Sequence, residues 1–166
     1  MPKWYYTHTE PTWSGHRDLP YRNEPFNDPE SVAAWRALGY TQTRFTGDMY
    51  DMREVEPEWM SEVREQFAWQ HFSWSVYRMR PGTVLPTHSD TYARFREVYD
   101  IADPDCIWRA VIFLEPWDSG HYFEIDGRPY VEWRAGDTVV WQNAVPHLAA
   151  NMGVTDRYTL QITGTQ

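Results

Sequence analysis

His88-Ser89-Asp90 sets an imidazole and a carboxylate two positions apart, Pro146-His147 brings a second imidazole from far downstream, and Arg157-Tyr158-Thr159 follows. Two imidazoles and one carboxylate can hold one face of a divalent first-row metal, Fe(II) above all, and leave the other face open. An arginine beyond the last ligand adds a planar, two-pronged donor that suits the far carboxylate of a dicarboxylic co-substrate. Composition alone does not select these residues. His16-Arg17-Asp18 repeats the His-x-Asp spelling, and His8-Thr9-Glu10 comes close to it.

Context separates them. His16-Arg17-Asp18 follows Ser14-Gly15 and lies between Pro11 and Pro20, where no periodic strand holds two ligands rigidly, so it reads as a solvated turn. His8, among Tyr5, Tyr6 and Thr7, fits a half-buried strand position whose pairing with Glu10 is incidental. His88 and Asp90 end an extended stretch from Thr83, after a Pro81-Gly82 turn, and residues two apart on a strand point to one side. Ser89 then faces away. Pro146 stiffens the approach of His147.

The elements that must carry these side chains change character along the chain. Asp28-Pro29-Glu30 is a helix start, with Val32, Trp35 and Leu38 on one face and Gly39 as the stop. A second helix is expected from Pro57, with Trp59, Met60, Val63 and Phe67 at helical spacing and His71 near its end. From Phe72 the period becomes two: Ser73, Ser75, Tyr77 and Met79 alternate with Phe72, Trp74, Val76 and Arg78. Trp108, Ala110, Ile112 and Leu114 alternate with Arg109, Val111 and Phe113. Shorter strands are expected at 121–125, 129–133 and 138–142, separated by Asp126-Gly127 and Ala135-Gly136-Asp137. In the last strand Arg157, Thr159 and Gln161 take one face and Tyr158, Leu160 and Ile162 the other. With the first set facing a barrel interior, the second packs outward against the N-terminal helices. Residues 91–106 break the rhythm directly after the ligand pair, as a lid, a substrate wall or a surface helix would.

These patterns predict a single domain over 1–166, with a helical cap and N-terminal strands over about 1–71 and a β core over 72–166. Ten Trp, eleven Tyr and seven Phe supply large apolar surfaces with polar tips. A net charge of −9 argues against a protein that rides on nucleic-acid backbones. Cys106 is the one cysteine, which excludes an intrachain disulfide and a multi-cysteine zinc site. No apolar run has signal-peptide or transmembrane length, so a soluble cytoplasmic location without membrane partners is expected.

At these residues the chain resembles the Fe(II)- and 2-oxoglutarate-dependent oxygenase superfamily. The similarity spans about Phe72 to Thr163: Pro81-Gly82 ahead of His88-Ser89-Asp90, Gly136-Asp137 opening the strand that leads to Asn143 and Pro146-His147, and Arg157-Tyr158-Thr159, which looks like the family's Arg-x-Ser with threonine in place of serine. The overall shape is most similar to the compact prolyl-hydroxylase type. The resemblance implies a mainly β double-stranded β-helix, a cupin-like jelly roll, with the N-terminal helices packed on one sheet. It also implies Fe(II) held by His88, Asp90 and His147, 2-oxoglutarate and dioxygen as co-substrates, and Arg157 and Thr159 on the distal carboxylate of 2-oxoglutarate. Prolyl-hydroxylase-like members often add a tyrosine ahead of the first ligand. Tyr77 is the nearest candidate here, and Met79 competes for the place. The tandem glycine such members carry is reduced to Ser119-Gly120-His121.

The implied reaction is hydroxylation of a C–H bond in an amino-acid-like small molecule or a protein side chain, with succinate and carbon dioxide as co-products. With Asp90 among the ligands, halogenation is not expected. The alternative is a cupin-like metal-binding domain that does not turn over 2-oxoglutarate. Small molecules or peptides are the expected partners, with no nucleic acid, and oligomeric state is open. For the substrate wall, Tyr92 and Arg96 in the segment after the ligands, with Trp108 and Trp141, form the candidate set. His121 is expected on a short strand, away from metal.

Overall fold

The computed structural model describes residues 3–41 and 43–166. Three strands, β1 (Trp4–His8), β2 (Arg22–Pro25) and β3 (Thr46–Asp51), and two helices, α1 (Pro29–Ala37) and α2 (Met60–Glu65), precede the core. Then come β4 (Gln70–Met79), β5 (Val84–His88), α3 (Ala93–Tyr99), β6 (Ile107–Phe113), β7 (His121–Ile125), β8 (Arg128–Tyr130), β9 (Asp137–Gln142), β10 (His147–Asn151) and β11 (Arg157–Thr165). Every strand pairing is antiparallel. One sheet runs β1-β9-β6-β11-β4-β3-β2 and the other β5-β10-β7-β8. The three early strands thus extend the larger sheet at both edges. Among the described residues no helix is long and apolar enough to cross a membrane.

The strand alternation sorts residues into two layers. Met79, Val111, Phe113, Val139 and Trp141 from the larger sheet meet Phe123, Ile125 and Ala149 from the smaller one, so the two sheets face each other across one interior. Trp74, Val76, Ala110, Ile112, Tyr158, Leu160 and Ile162 point the other way, where Trp59, Met60 and Val63 cover them. Met60 and Val63 are fully buried, each contributing about 1.5–3 kcal/mol relative to exposure. The odd positions of β11, including Arg157, Thr159 and Gln161, are left to the interior.

The two N-terminal helices serve different places. α2 covers the outer face of the larger sheet. α1 buries only Trp35, whose ring lies against Phe26, Phe45 and His88 and whose Nε1 donates to the Thr87 carbonyl at 3.1 Å. It therefore backs the end of β5 rather than that sheet face. Its start follows the sequence: the Asp28 side chain accepts from the backbone N–H groups of Glu30 and Ser31.

Other expectations shift. The helix predicted from Pro57 to His71 is regular only over Met60–Glu65, and His71 belongs to β4 at φ 52, with Nδ1 2.9 Å from Thr165 Oγ1. The strand predicted at 129–133 ends at Tyr130, because Trp133 leaves the sheet to stack on Phe113 at 4.0 Å between ring centroids. Residues 91–106 fold as α3 and a 3-10 turn.

The loop feeding β11 is pinned. Met152 donates to the Gly120 carbonyl, and a Cβ at Gly120, which sits at φ +89, would fall 2.3 Å from the Gly153 nitrogen. Asn151 donates through Nδ2 to the carbonyls of Met79 and Thr155, and its Oδ1 accepts from Gly153 N–H. Arg157 thus starts its strand from a fixed point.

Candidate metal centre and the interior arginines

His88 ends β5 and His147 opens β10, and the two are directly paired across the smaller sheet, with ring centroids 4.3 Å apart. Asp90 follows two residues after His88. One ligand atom from each of the three lies within 4.8 Å of the others, the one such cluster among the described residues. Each histidine is oriented by the same device: His88 Nδ1 meets the Pro86 carbonyl at 2.8 Å, and His147 Nδ1 meets the Val145 carbonyl at 3.1 Å. A carbonyl can only accept, so both Nδ1 atoms carry hydrogen, which leaves both Nε2 atoms free of that bond. Those free atoms face Asp90, at 4.0 Å from Oδ1 for His88 and 3.7 Å from Oδ2 for His147. Asp90 Oδ2 is buried without a hydrogen bond. Three lone-pair donors around one point, held from behind by backbone carbonyls, fit a divalent metal. Trp35 and Phe26 stand edge-on to His88, and Trp141 lies 4.7 Å from His147, which keeps bulk water off this side.

Electrostatics favour the ligand forms. Burial, opposed by Asp90, pushes His147 down to about 4, so its imidazole is neutral at pH 7. Burial alone would raise the Asp90 carboxyl, but Arg109, His147 and His88 outweigh it and hold the group below the usual carboxylate range. The histidine shift has a consequence for stability. Its folded value lies below the ordinary 6.5, so the stability it provides is present above pH 6.5 and is lost as pH falls toward 4, where only the unfolded chain takes the proton. Metal-free protein is expected to lose about 3 kcal/mol across that window from this group. Urea unfolding of wild type and His147→Gln at several pH values checks this. Equal pH slopes for the two would contradict a buried neutral imidazole.

Arg157 lies on the interior face of β11, 6 % exposed. Its Nη1 donates to the Tyr122 carbonyl at 2.8 Å, its Nε is buried without a partner, and it forms no ion pair among the described residues. Burial alone pushes its guanidinium down to about 10. Tyr122 pairs with Ala150 of β10. Ala150 is three residues beyond His147, about 10 Å of strand. A cation without a counter-charge, sharing an interior with a metal-type cluster, fits one end of a dicarboxylate whose other end sits on the metal.

The other candidate residues divide. Thr159 is buried on the same face as Arg157, between Tyr77 and Phe113. Tyr77 also faces the interior, but burial raises its hydroxyl to about 12 against the pull of Arg109, with Asp90 adding to the rise; Met79, not Tyr77, is the cross-strand neighbour of Arg157. Tyr92 is buried at φ 52 with its hydroxyl lacking a hydrogen bond, a backbone state costing about 1–3 kcal/mol. Trp141 flanks His147. Arg96 and Trp108 are not at the centre. Arg96 bonds the carbonyls of Ile101 and Ala102 beyond its own helix, and Trp108 faces outward beside Tyr5. His16 is no solvated turn residue, since its Nε2 lies 2.8 Å from Glu115. His121 opens β7, as expected, and its Nε2 meets the Thr155 carbonyl at 3.1 Å.

The residue that sequence reasoning missed is Arg109. It shares its face of β6 with Val111 and Phe113 and points inward. Its Nη2 lies 3.6 Å from Asp90 Oδ2, its Nη1 donates to Gln161 Oε1, and its guanidinium stands 5.1 Å from the centre of the Tyr92 ring.

No protein-family model matches the chain, and no curated protein matches it in sequence. Among solved structures, a Pseudomonas putida prolyl-4-hydroxylase is similar over 91 % of this chain and 96 % of that one, at 19 % identity and a TM-score of 0.53. A predicted oxalate decarboxylase from Thermotoga maritima is 14 % identical over 74 % of this chain and 84 % of its own, with a TM-score of 0.47. The cupin domain of Schizosaccharomyces pombe Cnp3 is 10 % identical over 72 % and 61 %, with a TM-score of 0.45. The fold is mainly β with antiparallel sheets, and the likeness to the prolyl-4-hydroxylase, at 19 % identity, is one of fold alone.

Proposed function

We propose that this chain is an Fe(II)- and 2-oxoglutarate-dependent dioxygenase that hydroxylates a C–H bond of an amino-acid-like small molecule or of a protein side chain. The observation that carries this reading is a buried cation without a counter-charge among the described residues, Arg157, in the interior that also holds the His88, Asp90 and His147 cluster. A domain that only binds metal has no use for such a charge.

His88, Asp90 and His147 would hold the iron by one face, and Arg157 with Thr159 would take the distal carboxylate of 2-oxoglutarate. When bound, iron and 2-oxoglutarate supply dioxygen activation, with oxidative decarboxylation to succinate and carbon dioxide. The protein's own part is positional. The Pro86 and Val145 carbonyls fix the tautomers of the two histidines, Arg157 sets the direction of the co-substrate, and Trp35, Phe26 and Trp141 exclude water.

The deciding experiment is anaerobic addition of Fe(II) and then 2-oxoglutarate to the purified protein, read in the visible range. A weak charge-transfer band that requires both is expected, because it arises only when the 2-oxo acid chelates the iron. Iron binding with no band would replace this reading with that of a metal-binding domain that does not use 2-oxoglutarate.

A further inference from the structure

We infer that Arg109, with Tyr92 beside it, is the docking point for a free carboxylate of the primary substrate, which makes that substrate a small carboxylic acid rather than a side chain in an intact protein. The inference rests on the dioxygenase reading and narrows it.

The geometry of the guanidinium is the first argument. Arginine grips a carboxylate best along the edge formed by Nε and one terminal nitrogen. In Arg109 Nη1 is committed to Gln161, while Nε is buried without a hydrogen bond and Nη2 stands 3.6 Å from Asp90 Oδ2, beyond hydrogen-bond length, with Tyr92 beside the guanidinium. The free edge therefore lies at the metal cluster, on a side chain that keeps 18 % of its surface open. Tyr92 packs its ring against the same guanidinium, and its buried hydroxyl, which stands close to Asp90 and Arg109, is a third donor held in place by a left-handed backbone.

Charge is the second argument. Asp90 is the carboxylate that acts on Arg109, and Arg157 has none. A divalent ion draws on Asp90, and a dianionic co-substrate divides its charge between that ion and Arg157. Arg109 is then the interior cation left over, and one monocarboxylate balances it. A neutral side chain within a peptide brings no such charge, whereas a free amino acid or other carboxylic acid does.

The test uses the anaerobic iron and 2-oxoglutarate complex of the full chain, titrated with the free L-amino acids and with simple aliphatic and aromatic monocarboxylic acids, each beside its amide. Acids are expected to shift the charge-transfer band where amides do not. Arg109→Gln is expected to keep the band, with 2-oxoglutarate affinity within about threefold, and to weaken acid binding on the order of 100-fold. Arg109→Lys should restore part of it, which checks that folding is not the cause. Amides acting as well as acids, or no acid acting on wild type, would overturn the inference and leave the dioxygenase reading standing. Loss of the band in Arg109→Gln would assign Arg109 to iron or 2-oxoglutarate instead. Absence of the band in wild type would sink the underlying reading itself.

Discussion

Asp90→Ala is expected to abolish tight iron binding, lowering affinity by well over 100-fold, and His147→Ala to do nearly as much, while His16→Ala leaves it intact. The outer partners of metal ligands already contribute 10–100-fold, so loss of a ligand exceeds that range. Asp90 has the larger effect for a local reason. It is the anionic member of the cluster, and Arg109 stands 3.6 Å from its Oδ2. Without the carboxylate, a divalent ion would meet two imidazoles and a cation. His16 is a fair control because it repeats the His-x-Asp spelling yet spends its Nε2 on Glu115. Iron retained after gel filtration, measured in all three variants, decides it. Iron lost from His16→Ala and kept in Asp90→Ala would mean that the wrong pair had been chosen.

Much of this arrangement is written in alternation. On β11 the polar Arg157, Thr159 and Gln161 against apolar Tyr158, Leu160 and Ile162 separate interior from exterior, and the structure divides them the same way. His88 and Asp90 are close in sequence, so strand geometry alone brings them together, and His147 arrives through the direct pairing of β10 with β5. Arg109 was legible in principle by the same rule. It is the one charge on the face of Val111 and Phe113, which makes the adjacent Trp108 an outward residue. What alternation could not show was where a side chain finds its partners. Arg96 turns to Ile101 and Ala102 because Asp100 adopts φ 52, and no local pattern announces that turn. N-terminal strands were expected within about 1–71, but the places of β2 and β3 were not legible. β2 and β3 are short and half polar, and they become strands only because β4 offers an edge to extend.

Arg157→Met is expected to move stability and binding in opposite directions. In the metal-free protein the guanidinium is buried with one hydrogen bond to the Tyr122 carbonyl and no counter-charge, and burial pushes it down to about 10, so the fold is working against its ionisation. Methionine fills similar volume without a charge to desolvate, at the cost of leaving that carbonyl without its donor. The net expectation is a gain of about 1–2 kcal/mol, or roughly 2–8 °C in the melting temperature for a chain of this size. Binding of 2-oxoglutarate should fall by about 100- to 1,000-fold, since a carboxylate brought into this interior would find no partner. Iron should still bind, because His88, Asp90 and His147 are unchanged. Thermal melts of metal-free protein and anaerobic titration of the charge-transfer band measure the two effects separately. A lower melting temperature with unaltered 2-oxoglutarate binding would make Arg157 a structural donor to Tyr122. A more stable protein that no longer binds 2-oxoglutarate would show that this charge is kept against the interest of the fold, which is what a binding residue requires.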